Sequence, residues 1–418
     1  MKINHDISLG RQDCCQLCNS SNLKFILDLG HNPPCDSLLT FEELDEPESF
    51  YPLKLFMCGD CDHIQINYAV APEILFHKEY PYKSGITETL ANNLKNGAKK
   101  FVKNLFLNKE GLAIDIGSND GTFLKGFKET GMSVLGVEPT DISKIAESDG
   151  IPTIQEFFSE KIAIDIEKNH GKAEIITAAN MFAHIPNLGD LIKGASRLLN
   201  EGGFFITESH YLLDILETVQ FDSIYHEHLK YYSLKDLDFL FSCYEFTLVD
   251  AEKIPNYGGS IRAYAKKGKN HPRSERLNEL MDAEHKANLF DWETWVSFKE
   301  KVIEARSDCR NFISKILNEE KSICAIGCPG RSSTLLNYYG LSPNEIEYIA
   351  EQSTCLKVGM YCAGQHIPVV DEQRMFDEQP DYALMLSWHY SEPIIKKLRE
   401  RGLKSKIIIP LPTLKIVD

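Results

Sequence analysis

Residues 112–127 of this chain, LAIDIGSNDGTFLKGF, decide its fold class. A short apolar run leads into a glycine-rich turn and then into a helix-favouring stretch, which is the pattern of a strand that passes directly into a helix. Further apolar runs, SVLGVE, AEIITAA and GGFFITES, alternate with helical stretches such as NLGDLIKGASRLL. This alternation predicts an α/β protein with parallel strands and with helices on both faces of the sheet.

The same alternation suggests how the chain is divided. FTLVDA and SIRAYAKK are expected to pair as strands and to close the first α/β domain, which we place at residues 71–270. A charged, helix-favouring stretch at 271–320 is interpreted as a solvated helical connector. After it the runs KSICAIG, NEIEYIA, DYALMLSW and KSKIIIPL predict a second parallel α/β domain at 321–418. A small domain is expected at about 10–70.

Composition and charge limit the classes of function. The chain has 418 residues, 43% of them hydrophobic and 25% charged, and 45 basic against 61 acidic residues give a net charge of −16. These values exclude a disordered or disulfide-stapled class and disfavour nucleic-acid binding, whereas a small anionic substrate stays possible. The first residues lack the apolar core of a signal peptide, and no apolar run approaches membrane-spanning length. We therefore expect a cytoplasmic protein without a membrane partner.

Cysteines are concentrated near the N-terminus. Cys15-x-x-Cys18 and Cys58-x-x-Cys61 are two pairs whose thiolates can converge on one tetrahedral ion. Four thiolates fill the coordination shell, so the pattern predicts a structural zinc and not a catalytic one. Cys14 is a rival first ligand, and reduced buried thiols are the alternative to a metal site.

The turn after the first long strand predicts a binding site for a methyl donor. Its glycines are spaced as Gly-x-x-x-Gly, which argues against a nicotinamide fingerprint and hence against a reductase or epimerase. The preceding Asp115 suits the ammonium of a methionine moiety, and Glu138, about 20 residues after the turn, is placed for ribose hydroxyls. The combination resembles the class I S-adenosylmethionine-dependent methyltransferases. The predicted donor site comprises Asp115, Gly117, Asn119, Gly121, Glu138 and Asn180.

Two later motifs carry further candidate residues. In YHEH, residues 225–228, an extended segment would point His226 and His228 one way and Tyr225 and Glu227 the other. Glu227 is expected to orient an imidazole and raise its basicity, which would give a general base near neutral pH. A catalytic metal there is disfavoured, and His184 in NMFAHIPNL is a third histidine candidate. NYGGSIR suits a phosphate or diphosphate, and a glycine bulge with a surface arginine is the alternative.

Together, these motifs resemble the sugar C-methyltransferases that act on nucleotide-linked ketosugars, typified by TDP-sugar C-3′-methyltransferases of antibiotic and surface-polysaccharide pathways. The resemblance runs from CQLC to KIIIPLP. It implies a zinc-binding domain, a class I Rossmann-like methyltransferase domain and a C-terminal Rossmann-like α/β domain that helps to bind the nucleotide-sugar. The implied base is His228, with Tyr225, Glu227 and His184 lining the reacting site and Tyr80 or Tyr82 closing over the donor.

The resemblance also implies which residues bind the sugar nucleotide: Gly259, Ser260, Arg262, Arg331, Asn337 and Glu351. Arg331 stands where the family has lysine, Glu351 where it has aspartate, and Tyr257 where it has histidine. These departures concern recognition of the nucleotide base and of the sugar more than the methyl-transfer chemistry.

The implied reaction is methyl transfer from S-adenosylmethionine to C3 of a 4-ketohexose. His228 would remove the C3 proton, and Tyr225 or His184 would stabilise the enolate. Two further interpretations stay open at this point: O-methylation of a sugar hydroxyl, and a non-catalytic, zinc-scaffolded module that binds a nucleotide-sugar.

Overall fold

The structure is a computed structural model that describes residues 3–76 and 88–418. Tyr80 and Tyr82 lie outside the described residues. The strands are β1 Gly10–Arg11, β2 Leu23–Asn32, β3 Tyr51–Cys58, β4 Ile64–Ile66, β5 Tyr68–Ala69, β6 Leu112–Ile116, β7 Ser133–Val137, β8 Thr153–Ile154, β9 Ala173–Ala179, β10 Leu199–His210, β11 Lys230–Tyr231, β12 Phe246–Ile254, β13 Ser260–Lys267, β14 Ile323–Ile326, β15 Ile349–Glu351, β16 Val369–Asp371, β17 Tyr382–Met385, β18 Lys406–Ile409 and β19 Lys415–Val417.

The helices alternate with these strands through most of the chain. They are α1 Pro72–Leu75, α2 Glu88–Asn104, α3 Thr122–Lys128, α4 Ser143–Ser148, α5 Glu160–His170, α6 Leu188–Leu198, α7 Leu212–Glu217, α8 Leu234–Ser242, α9 Glu275–Lys286, α10 Trp292–Asn318, α11 Ser332–Tyr339, α12 Gln373–Glu378 and α13 Ser391–Glu400.

The central sheet confirms the predicted α/β fold. Within the described residues it has seven strands in the order β12-β13-β10-β9-β6-β7-β8. The strands from β10 to β8 are parallel, and β13 pairs antiparallel with both β10 and β12. Every residue of β6 is buried, because helices cover both faces of the sheet. The chain leaves β6 toward β7 and later returns on the other side as β9, so a crevice opens at the carboxyl end of β6.

The C-terminal sheet repeats this arrangement. Its order in the described chain is β16-β15-β14-β17-β18-β19, with five parallel strands and an antiparallel β19 at the edge. Its first strand, β14, again lies between the next strand and a later one. A second crevice therefore opens at the carboxyl end of β14.

The N-terminal sheet contains a strand from much later in the chain. Its order is β11-β4-β3-β2, and β11 pairs through Lys230 with Gln65 and through Tyr231 with Ile64. The segment just after YHEH is thus part of the N-terminal sheet. A division of the sequence into consecutive domains therefore does not describe this sheet, because β11 comes from a distant part of the chain.

The helical prediction for residues 271–320 agrees with α9 and α10, but a solvated connector is the wrong description of α10. One face of that helix is buried, at residues 295, 298, 302, 305, 309, 313 and 316. The spacing of three to four residues is that of an amphipathic helix, and it contacts β2 and α11. No helix in the part of the chain that the structure describes is long and apolar enough to cross a membrane.

Candidate functional site

A cavity of about 1610 Å³ lies where the three sheets meet. It spans the carboxyl edge of the central sheet and the turn after β14. Twelve residues predicted from the sequence line it: Asp115, Gly117, Asn119, Glu138, Asn180, His184, Tyr225, Glu227, His228, Arg262, Arg331 and Glu351. Four other predicted residues do not line it: Gly121, Gly259, Ser260 and Asn337.

The crevice at β6 forms one end of the cavity. The Asp115 carboxylate accepts a hydrogen bond of 2.6 Å from the Thr177 hydroxyl, and burial raises the pKa of Asp115 to about 7. Gly117 has φ 71°, and a Cβ there would approach the Met181 Cγ to 3.1 Å. A larger residue at position 117 would therefore be strained and would crowd the wall of the cavity.

Glu138 directly follows β7 and holds the glycine turn against the end of that strand. Its Oε2 accepts the backbone N–H of Asn119 at 3.0 Å, and its Oε1 accepts both the N–H and the hydroxyl of Thr140. Since a carboxylate has about four acceptor positions and these contacts use three, one remains for a ligand hydroxyl. The Ser118 hydroxyl is buried beside this turn and has no partner among the described residues. These groups fit a ligand that carries both a cation and sugar hydroxyls, as S-adenosylmethionine does.

The YHEH segment is a tight turn, so the predicted directions of its side chains are wrong. The His228 N–H donates to the Tyr225 carbonyl at 2.9 Å, which brings the rings of these two residues within 4.0 Å. Both line the cavity together with Glu227. His226 points elsewhere, with its Nε2 3.3 Å from the Pro52 carbonyl. The extended geometry assumed for this segment does not apply within a β-turn.

His228 is oriented by a backbone carbonyl. Its Nδ1 lies 2.8 Å from the Ser223 carbonyl oxygen, which can only accept, so Nδ1 carries the proton and Nε2 keeps its lone pair. Burial lowers the pKa of His228 to about 4, opposite to the expected rise. Glu227, expected to orient an imidazole, accepts a hydrogen bond from the Cys35 thiol at 3.1 Å.

Further rings surround His228. His184 stacks on it with ring centroids 5.0 Å apart, and His210 meets it nearly perpendicular at 4.7 Å. Burial lowers the pKa of both His184 and His210 well below the ordinary value. His210 and His389 were missed by the sequence analysis. The signal for His210 was available, because it ends β10 at the same edge as Glu138 and Asn180.

Arg331 is buried and bonded mainly to protein groups. It forms an ion pair of 2.9 Å with Asp222 and also donates to the Ser223 hydroxyl, the Gln220 side chain and the Tyr257 carbonyl. Because Ser223 orients His228, this arginine of the C-terminal unit helps to fix the imidazole.

The strand that carries GGSIR, β13, contributes Arg262 and Tyr264 to the cavity lining. Arg262 pairs with Glu208 at 3.0 Å. Gly259 has φ 123°, and a Cβ there would come within 2.4 Å of the Asp214 carboxylate. The Ser260 hydroxyl is buried and donates to the Asn256 carbonyl.

The crevice at β14 resembles the one at β6 in a specific contact. Glu351 ends β15, and its Oε2 accepts the N–H of Cys328 from the turn after β14 at 2.8 Å. Glu138 holds Asn119 in the same way. The Asn337 amide donates to the Ser333 and Ala363 carbonyls instead of facing the cavity.

The four predicted zinc ligands come together. The sulfurs of Cys15, Cys18, Cys58 and Cys61 all lie within 4.8 Å of one another, and two of the pairs are 3.6 Å apart. Zinc–sulfur bonds of about 2.3 Å in a tetrahedron place the sulfurs about 3.8 Å apart, which fits. Backbone N–H groups of Leu17 and Asp60 approach two of these sulfurs, at 3.4 Å each. Cys14 is exposed and outside the group.

Three family models match successive parts of the chain. Residues 15–76 match a family described as "Putative zinc binding domain", 90–251 a "Methyltransferase domain", and 255–412 a "C-methyltransferase C-terminal domain". A curated relative, C-methyltransferase NovU of Streptomyces niveus, is 28% identical over 411 residues, which cover 97% of each chain.

Solved structures with similar folds include two methyltransferases. Magnesium protoporphyrin IX methyltransferase of Synechocystis PCC 6803, with S-adenosylmethionine bound, is 11% identical, with 43% of this chain and 79% of that chain covered and a TM-score of 0.32. An S-adenosylmethionine-dependent methyltransferase of Clostridium acetobutylicum ATCC 824 is 14% identical, with 43% and 92% covered and a TM-score of 0.34. Because these TM-scores are low, the assignment of the fold depends on the strand order and on the family matches.

Proposed function

Because the chain belongs to the S-adenosylmethionine-dependent C-methyltransferases, we propose that it methylates C3 of a nucleotide-linked 4-ketohexose through an enolate that His228 generates. Membership of this family removes O-methylation and the non-catalytic module from the alternatives. The cofactors are S-adenosylmethionine and a structural zinc held by the four cysteines.

The observation that carries the proposal is the orientation of His228. Its Nδ1–H is used by the Ser223 carbonyl, so the lone pair of Nε2 is the free basic position of a ring that lines the cavity. A general base needs a free lone pair held in a fixed direction. The low pKa means that this lone pair is unprotonated at neutral pH.

The methyl donor would lie across the β6 crevice. Asp115 would bind the ammonium, Glu138 the ribose hydroxyls, and the turn with Gly117, Asn119 and Gly121 the remainder, with Asn180 beside it. When bound, S-adenosylmethionine supplies an electrophilic methyl group on positive sulfur. Because burial keeps His184, His210 and His228 neutral, none of these three imidazoles would add a cation next to that sulfur.

The ketone makes the chemistry possible at carbon. Hydrogens next to a carbonyl are acidified, so His228 Nε2 takes the C3 proton, the C–H electron pair forms the C3–C4 double bond, and the carbonyl oxygen becomes an enolate. C3 is then the nucleophile. Holding it next to the methyl group contributes several kcal/mol, on the order of 7–11 in the best cases.

The nucleotide end of the substrate would occupy the β14 crevice. Glu351 is placed there as Glu138 is at β6, and Arg331 adds a buried positive charge at the same wall. Arg262 faces the cavity from the central sheet, while Gly259, Ser260 and Asn337 would shape the wall through backbone conformation and buried hydrogen bonds.

The test is incubation with S-adenosylmethionine carrying a labelled methyl group and a panel of nucleotide-linked 4-ketohexoses. We expect a product whose NMR spectrum shows the methyl bonded to carbon. In deuterium oxide we also expect the C3 hydrogen of unreacted ketosugar to exchange for deuterium. His228→Asn should abolish both, while the matched control His226→Asn, outside the cavity lining, should keep them. Full activity of His228→Asn would falsify the base assignment.

A further inference from the structure

His210 holds a fixed position beside the reacting imidazole. It is the last residue of β10, a strand paired on one side with β9 and on the other with β13, where His210 itself is opposite Ser260. Its ring centroid lies 4.7 Å from that of His228, with the ring planes at 81°, and it lines the cavity. Residues at the carboxyl ends of such strands are positioned by the sheet rather than by flexible loops.

The surroundings of its two nitrogens differ. The His210 Nδ1 is buried and has no hydrogen-bond partner among the described residues. The Nε2 atom is not both buried and without a partner. A buried N–H without an acceptor is rarer in proteins than a buried acceptor without a donor. The favoured neutral tautomer therefore carries its proton on Nε2. The tautomer is opposite to that of His228, whose proton is on Nδ1.

Burial and the neighbouring groups together keep the His210 ring neutral. Burial is the largest cause that lowers the pKa of His210, and His228, Arg331, His184 and His389 lower it further. A neutral imidazole can donate one N–H to a developing oxyanion without adding a full charge to the site.

We propose that His210 is a catalytic residue whose Nε2–H donates a hydrogen bond to the C4 carbonyl oxygen of the ketosugar while His228 removes the C3 proton; this rests on the proposed function. His210 keeps its own proton throughout. The C3–H bond breaks, the proton moves to His228 Nε2, and the charge that develops on the oxygen is stabilised by His210.

The spacing of the two rings suits adjacent atoms of one ketone. Bond lengths of about 1.5 and 1.2 Å put a carbonyl oxygen about 2.4 Å from the neighbouring carbon. Two imidazoles whose ring centroids are 4.7 Å apart can contact those two atoms of the ketone, one each. His184, the donor expected from the sequence, is stacked face to face between Phe76 and His228. Tyr225 is the remaining rival donor.

The first measurement is C3 proton exchange. The wild-type enzyme and variants are mixed in deuterium oxide with S-adenosylhomocysteine and a thymidine-diphosphate-linked 4-keto-6-deoxyhexose. We expect His210→Leu to lower the exchange rate by about 10²–10³, the effect of losing one oxyanion donor. His210→Gln should retain more activity than His210→Asn, because only the glutamine amide reaches the position of Nε2.

The second measurement reports the hydrogen bond itself. With ¹³C at C4, the carbonyl resonance of the bound sugar should move downfield in the wild type and in His210→Gln, and return toward the free value in His210→Leu and His210→Asn. A residue with only a structural role would not give this pattern. Loss of the shift in Tyr225→Phe, with retention in His210→Leu, would assign the donor to Tyr225 and overturn the proposal.

The outcomes separate this proposal from the function it rests on. If the wild type exchanges C3 hydrogen and His210→Leu and His210→Asn exchange about as fast, His210 is not the donor and the enolate mechanism stands. If the wild type methylates carbon without any C3 exchange, the enolate mechanism fails and the role of His210 fails with it. Should His210→Leu not fold, the Gln and Asn pair decides the question.

Discussion

The buried ion pair between Arg331 and Asp222 gives a quantitative prediction about stability. The Asp222 side chain is 0% exposed and that of Arg331 is 5% exposed. Replacing Arg331 with Met leaves a buried carboxylate that still accepts a hydrogen bond from the Trp388 indole N–H, at 2.7 Å. Removing one member of a buried pair typically costs about 3–5 kcal/mol, because the other charge is left uncompensated.

We therefore expect Arg331→Met to lower the free energy of unfolding by about 3–5 kcal/mol. The double variant Arg331→Met/Asp222→Asn should recover most of that loss. Asparagine removes the buried charge and can still accept a hydrogen bond from Trp388. The assay is urea unfolding followed by tryptophan fluorescence, with the slope of the transition compared between variants. Arg374→Met is the matched control: Arg374 pairs with Glu378 at 2.8 Å, both are nearly half exposed, and a loss of only about 0.5 kcal/mol is expected.

The result decides between two roles for Arg331. If Arg331→Met is no less stable than Arg374→Met, the guanidinium is not needed to compensate Asp222 and the reasoning is refuted. The role implied by the family resemblance, binding of the nucleotide-sugar alone, would then remain. If the predicted loss is found, the kcat of the folded variant should fall as well, because Arg331 holds Ser223 and Ser223 orients His228.

Two further predictions concern the metal and the base. Metal analysis should find one zinc per chain, and Cys58→Ser should lose both this zinc and the N-terminal β-structure seen by circular dichroism. The control variant Cys14→Ser, which lies outside the four-sulfur group, should keep its zinc. An unchanged zinc content in Cys58→Ser would contradict the assignment. Burial lowers the pKa of His228 to about 4. At saturating S-adenosylmethionine, where the Asp115 pKa of about 7 does not limit donor binding, kcat should stay level from neutral pH downward and fall only as pH approaches about 4, where the base becomes protonated. Half-maximal kcat near the ordinary histidine pKa of about 6.5 would contradict this prediction.

The features that the sequence predicted well are those in which neighbouring residues act together. The four zinc ligands come from two C-x-x-C turns, and each turn sets the distance within its pair. Asp115, Glu138 and Asn180 each stand at or next to the end of an apolar run, so the register of a parallel sheet brings them to one edge. A single pattern of strands therefore predicted both the fold and the crevice at β6, where we propose that the methyl donor binds.

The features that it missed depend on contacts between distant parts of the chain. His226 and His228 were assigned to one face because an extended segment was assumed, and a β-turn separates them. Arg331 meets Asp222 across the C-terminal and central units, and no local pattern in either segment signals the pair. The family resemblance implied a substrate contact for Arg331, whereas the structure shows that most of its hydrogen bonds go to protein groups.

The zinc domain has a physical connection to His228, the proposed base. His228 lies between Ser223, which Arg331 fixes from the C-terminal unit, and Leu229, whose carbonyl accepts from the Ile66 N–H and the Gln16 amide, each at 3.2 Å. Ile66 lies on β4, which pairs with β3, and β3 ends at the zinc ligand Cys58. A zinc ion bound by the four cysteines would therefore stabilise the sheet whose β4 contacts the residue next to His228. Since displacing a catalytic group by about 1 Å can cost about 10²-fold in rate, loss of zinc should reduce kcat even in a chain whose central sheet stays folded.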